Sequence, residues 1–96
     1  MITSKEIHIT KNGLFEVGYL GGSQYDYSFS TINSGTAQVV GNNSASQPKT
    51  LIDDDCEVTT SSTAGGLKGN LNYEGHVSIR VTGATDPDFY FSINKH

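Results

Sequence analysis

Residues 77–93 read Val77-Ser78-Ile79-Arg80-Val81-Thr82-Gly83-Ala84-Thr85-Asp86-Pro87-Asp88-Phe89-Tyr90-Phe91-Ser92-Ile93. Two strictly alternating apolar runs flank a Gly/Asp/Pro turn. Val77, Ile79 and Val81 fall on one side of an extended chain, as do Phe89, Phe91 and Ile93. Side chains alternate across a strand with period two, so each run is a half-buried strand. The pair reads as an antiparallel hairpin.

The same texture extends towards the N-terminus. Ile7 and Ile9 alternate with Glu6 and His8 in a first strand. Lys11-Asn12-Gly13 is a turn signal, because Asn-Gly readily adopts positive φ. Phe15, Val17 and Tyr19 are expected on one face of the next strand, and Gly21-Gly22-Ser23 reads as a second turn. Tyr25, Tyr27 and Phe29 then share a face. Val39 and Val40 are consecutive, so residues 36–40 are apolar on both faces. Residues 41–49 form a polar loop, Asp53-Asp54-Asp55 a turn, residues 56–60 a short strand, and residues 61–69 a Gly-rich loop. Leu71 and Tyr73 begin a strand or cap the core. No segment carries apolar residues at helical spacing. Turn signals every eight to twelve residues or so predict an all-β fold. The expectation is one domain over residues 1–96, a small antiparallel β-sandwich or flattened barrel of about seven or eight short strands without significant helix.

Composition bears on what such a domain can do alone. Of the 96 residues, 34% are hydrophobic, and Gly, Ser, Thr and Asn make up about 40%. The core is expected to be thin, and thin cores are supplemented by disulfides, metals or partners. Cys56 is the single cysteine, so no disulfide forms within the chain. A lone cysteine reads first as a small buried hydrophobe, with an intermolecular bridge left open. His8, His76 and His96 do not cluster in sequence, and no Cys/His spacing suits zinc. No cofactor is expected. Partner surface remains, which predicts a homo-oligomer or a subunit of a larger assembly. The net charge is −4 and the six basic residues are scattered, against the concentrated basic footprint that phosphates require. Direct nucleic-acid binding is not expected. No apolar run approaches the ~20 residues of a membrane span, and residues 1–10 carry no apolar signal-peptide core, so neither membrane insertion nor signal-directed secretion is expected. Asn42-Asn43-Ser44 is formally a glycosylation sequon and carries nothing without such a signal.

Each chemical candidate has a plainer reading. Asp53-Asp54-Asp55 with Glu57 offers oxygens to calcium but lacks the alternate-ligand pattern of a calcium loop, and reads as a solvated turn. Asp86-Pro87-Asp88 offers two carboxylates but flanks a Pro, as turn initiation does. Cys56 with a histidine lacks an orienting third group and an oxyanion motif, so no enzyme is expected. Among the five tyrosines, Tyr19, Tyr25 and Tyr27 sit where core packing explains them, and the chain has no Trp to complete a sugar platform. Tyr90 is out of phase with Phe89 and Phe91 and faces away from their core. It is the leading candidate for an interface or ligand anchor, since tyrosine combines a large contact area with a polar tip. His8 points away from Ile7 and Ile9 and is a surface or interface residue. Tyr73 is the third residue assigned a possible contact role.

Taken together, Gly13-Leu14-Phe15-Glu16-Val17, the Gly21-Gly22-Ser23 turn, and Arg80-Val81-Thr82-Gly83-Ala84-Thr85-Asp86-Pro87-Asp88-Phe89 resemble small virion-associated β-sandwich proteins of tailed bacteriophages. The resemblance spans residues 10–94. It departs at the long polar loop of residues 41–49 and in the absence of a mid-strand Trp. It implies a structural role in the virion, as a capsid decoration or cement protein or a small tail or fibre subunit. It further implies a homotrimer whose partner is a major capsid or tail protein, since a cyclic arrangement gives each subunit a closing interface. A carbohydrate- or receptor-binding module is the competing expectation, with recognition on the loops of a rigid sandwich.

Overall fold

A computed structural model describes residues 2–42, 50–52, 57–59 and 67–96, with residues 67 and 68 described in their backbone alone. The expectations for residues 43–49, the Asp53-Asp54-Asp55 run, Cys56 and residues 60–66 fall outside the described residues. The described residues form seven strands, in order β1 Ser4–Ile9, β2 Gly13–Phe29, β3 Thr36–Asn42, β4 Thr50–Leu51, β5 Glu57–Thr59, β6 Leu67–Thr82 and β7 Phe89–Lys95. All pairings are antiparallel, and no helix occurs among the described residues.

The strands belong to one sheet, ordered β1-β7-β2-β6-β3-β4, with β5 also paired to β3. β2 has 17 residues and β6 has 16. At ~3.3 Å per residue a straight β2 would span roughly 55 Å, yet the longest dimension of the molecule is 32 Å. The β2–β6 ribbon must therefore bend, and its register shifts twice, between Glu16 and Gly18 and between Gly21 and Gln24. Bulges of this kind add an unpaired residue and bend the strand. Gly75 sits opposite Leu20 in the bent region, with φ of +151°. A Cβ there would lie 2.7 Å from the Asn42 carbonyl oxygen. The bend folds the sheet over. One half holds β1, β7, the C-terminal part of β2 and the N-terminal part of β6. The other holds the N-terminal part of β2, the C-terminal part of β6, and β3, β4 and β5.

The inward residues of both halves meet in a single core. Tyr25, Tyr27, Phe29, Phe89, Phe91 and Ile93 pack with Val17, Leu20, Val39, Val77, Ile79 and Val81. Phe29 lies 5.0 Å from Phe91 and 6.4 Å from Phe89, ring centre to ring centre. The Tyr25 hydroxyl donates to the carbonyl of Ile2. Val39 and Val40 are both fully buried, Val40 on the face opposite the core cluster.

Three sequence expectations need correction. The runs at 77–82 and 89–93 are strands, but they are not a hairpin, because β2 lies between β6 and β7. β6 already has β2 and β3 as neighbours, so the six-residue connection 83–88 crosses to another position in the sheet. Asn12 clamps that connection, donating from Nδ2 to the Ala84 carbonyl and accepting from the Ala84 N–H, both at 2.9 Å. Ser34 bonds both backbone groups of Thr85. Second, Gly21-Gly22-Ser23 is not a turn. β2 runs through it, and the glycines serve the bulge. Third, the bulge at Val17 and Gly18 advances the phase by one residue. Leu20 therefore enters the core and Tyr19 is left 39% exposed.

Candidate functional site

Two faces of the sheet lie opposite the core, and both carry an aromatic ring braced by a histidine. On the β1–β7–β2 face, the register places His8 opposite Tyr90. Their rings stack at 4.3 Å with an interplanar angle of 12°. His8 Nε2 donates to Asp88 Oδ1 at 2.6 Å, since an ionised carboxylate only accepts. The Tyr90 backbone is tied to Ser30 twice. Its N–H donates to Ser30 Oγ at 2.8 Å, and its carbonyl accepts from the Ser30 N–H at 2.9 Å. Tyr90 thus has its backbone tied to Ser30 and its ring packed on His8, and is still 45% exposed.

Beside this ring the face is built from short polar side chains. Alternation that sends Tyr27, Phe29, Phe91 and Ile93 inward sends Asp26, Ser28, Ser92 and Asn94 outward. Ser28 and Ser92 face each other, their hydroxyls 3.0 Å apart. Two shallow depressions of about 490 Å³ each meet at Ser92 and Asn94. One extends over Asp26, Ser28 and Asn70, the other over Ser4 and Glu6. At the far end His96 Nδ1 donates to Asp26 Oδ2 at 3.0 Å. That hydrogen bond, followed by the charge of Asp26, raises the His96 pKa above its ordinary 6.5.

The second face lies on β2, β6 and β3; Ser78 and Val40 at its centre are fully buried, and its exposed hydrophobic residues are on β2. Tyr19 sits opposite His76 and meets its ring edge-on at 5.2 Å. Glu16 accepts from the Ser78 hydroxyl at 3.0 Å and lies 3.9 Å from His76 Nδ1. Leu14 is on the same face and is 52% exposed.

Of the three residues singled out by sequence, the fold brings Tyr90 and His8 together. Tyr73 lies apart, half-buried against the core, with its ring over β3. A Cβ on Gly41 would sit 2.7 Å from that ring. Sequence reading missed Asp88 as the partner of His8 and missed the Ser28–Ser92 floor. Alternation already marks these residues as outward, but which strands lie side by side is not written in it. Among the described residues, no three His, Cys, Asp or Glu side chains group so as to hold a metal ion. No described helix is long and apolar enough to cross a membrane. No family model, curated protein or solved structure matches the chain.

Proposed function

We propose that this protein is a non-enzymatic structural subunit of a phage virion, a decoration or cement protein that works by docking to copies of itself and to a major capsid or tail protein. The observation that carries the reading is the β2–β6–β3 outer face. Among the described residues, two of the three exposed large hydrophobic side chains, Leu14 and Tyr19, project from one face of one strand. Tyr19 is braced by His76, and His76 lies beside Glu16. A ring held in place before contact loses little side-chain entropy on binding, which is why tyrosine anchors dominate many interfaces. The phage assignment itself rests on the strand-and-turn resemblance. A trimer is the favoured assembly, and the virion the corresponding location.

Sedimentation at micromolar concentration tests the docking, together with co-sedimentation on purified phage heads and tails. The expected result is an oligomer and a particle-bound fraction, both reduced at least tenfold in affinity by Leu14→Ser with Tyr19→Ser, at unchanged thermal stability. A strict monomer that binds neither heads nor tails overturns the reading.

A further inference from the structure

We propose that the opposite outer face is a binding site for a neutral oligosaccharide, with Ser28, Ser92, Asp26 and Asn94 as its polar lining and the exposed Tyr90, one row beyond Ser92 on the same face and outside both depressions, as the apolar surface a longer chain would reach. This goes beyond the docking role and uses a different surface.

The shape comes from side-chain length. The Ser28–Ser92 row is low, because both residues are serines. The neighbouring rows stand higher, with the stacked Tyr90–His8 rings on one side and the Asp26–His96 pair on the other. Two depressions of about 490 Å³ meet over Ser92 and Asn94. Both depressions are shallow and open, so a ligand would lie along the face rather than enter a cavity.

The chemistry of the lining selects the ligand. Serine hydroxyls donate and accept, asparagine amides do both from separate atoms, and carboxylates accept from hydroxyls. A surface of short, mixed donors and acceptors matches a ligand bearing many hydroxyls. The face of Tyr90 not covered by His8 carries negative π density and attracts the weakly positive C–H groups on a sugar ring. The charged residues lining the depressions are Asp26, Glu6 and Lys5, so an anionic glycan meets two carboxylates and a single cation rather than a basic cluster. A bare cation is not favoured, since the described residues form no group of three ligating side chains.

An immobilised array of defined neutral and sialylated oligosaccharides, followed by calorimetry with the retained free oligosaccharide, tests the site. The expected outcome is retention of a neutral oligosaccharide, with affinity falling at least tenfold in Tyr90→Ala and in Asn94→Ala. Ser92→Arg, which fills the low row, is expected to abolish binding. Asn94 is exposed, so its variant reads the site even where Ser92→Arg disturbs folding. Leu14→Ser is expected to leave sugar affinity unchanged. No retained neutral oligosaccharide, retention of sialylated ones alone, or affinity indifferent to both Tyr90→Ala and Asn94→Ala overturns the proposal. A negative array leaves the particle-binding experiment unaffected, so the two readings fail separately.

Discussion

At the scale of single residues, each histidine lies within 4.0 Å of a carboxylate: His8 with Asp88, His76 with Glu16, His96 with Asp26. The hydrogen bond and charge of Asp26 raise the His96 pKa. A raised pKa in the folded state means the protonated ring is favoured there. The contribution to stability is complete below the unfolded value near 6.5 and is lost as pH rises through the folded value. Ring-proton NMR titration is expected to give a His96 midpoint above 6.5, moved back down by Asp26→Asn. Residue-level reading of the sequence placed Tyr90 and His8 outward because their strands alternate without interruption. It misplaced Tyr19 because the phase slips at Val17 and Gly18, two residues whose identities also suit an unbroken strand.

At the scale of elements, alternation identified strands well and their partners poorly. Period two reports that one side of a strand is buried, and β6 and β7 each obey it. It does not say which neighbour supplies the ladder. The Gly83–Asp88 connection looked like a hairpin turn because Gly, Asp and Pro serve tight turns and longer crossings alike. What makes it a crossing is long-range, namely the grip of Asn12, Asn33 and Ser34 on residues 84–86. Asn12 alone contributes two hydrogen bonds between the β1–β2 turn and this connection. Asn12→Ala is expected to cost about 1 kcal/mol, read as a fall in Tm of about 4–8 °C for a domain of this size. An unchanged Tm would mean that the clamp exchanges freely with water. The same limit hid the site. Asp26, Ser28, Ser92 and Asn94 were legible as outward residues, but the dish they form needs β2 beside β7.

At the scale of the whole molecule, the expectation of a thin core meets a compact chain. The accessible surface is 5099 Å², against the roughly 5,350 Å² that scaling gives a folded monomer of this mass. Compactness thus makes no demand for a partner, and docking has to be argued from the exposed face instead. Tyr and Phe supply the missing bulk, with Tyr25, Phe29, Phe89 and Phe91 among the largest fully buried side chains. β7 lies between β1 and β2, so it is an interior strand of the sheet. Truncation after Asp88 is expected to leave the chain unfolded, with loss of the β-sheet circular dichroism spectrum. A folded truncated chain would contradict the observed strand order. The pairing of β1 with β7 also sets how the protein bears load. Ser4 faces Asn94, and the Lys95 N–H donates to the Thr3 carbonyl, so the two ends leave the sheet side by side. Tension applied through both ends would part these strands like a zipper, one hydrogen bond after another, rather than shearing the whole ladder at once. A brick with this grain resists force when gripped across its faces and yields when tugged by its tails.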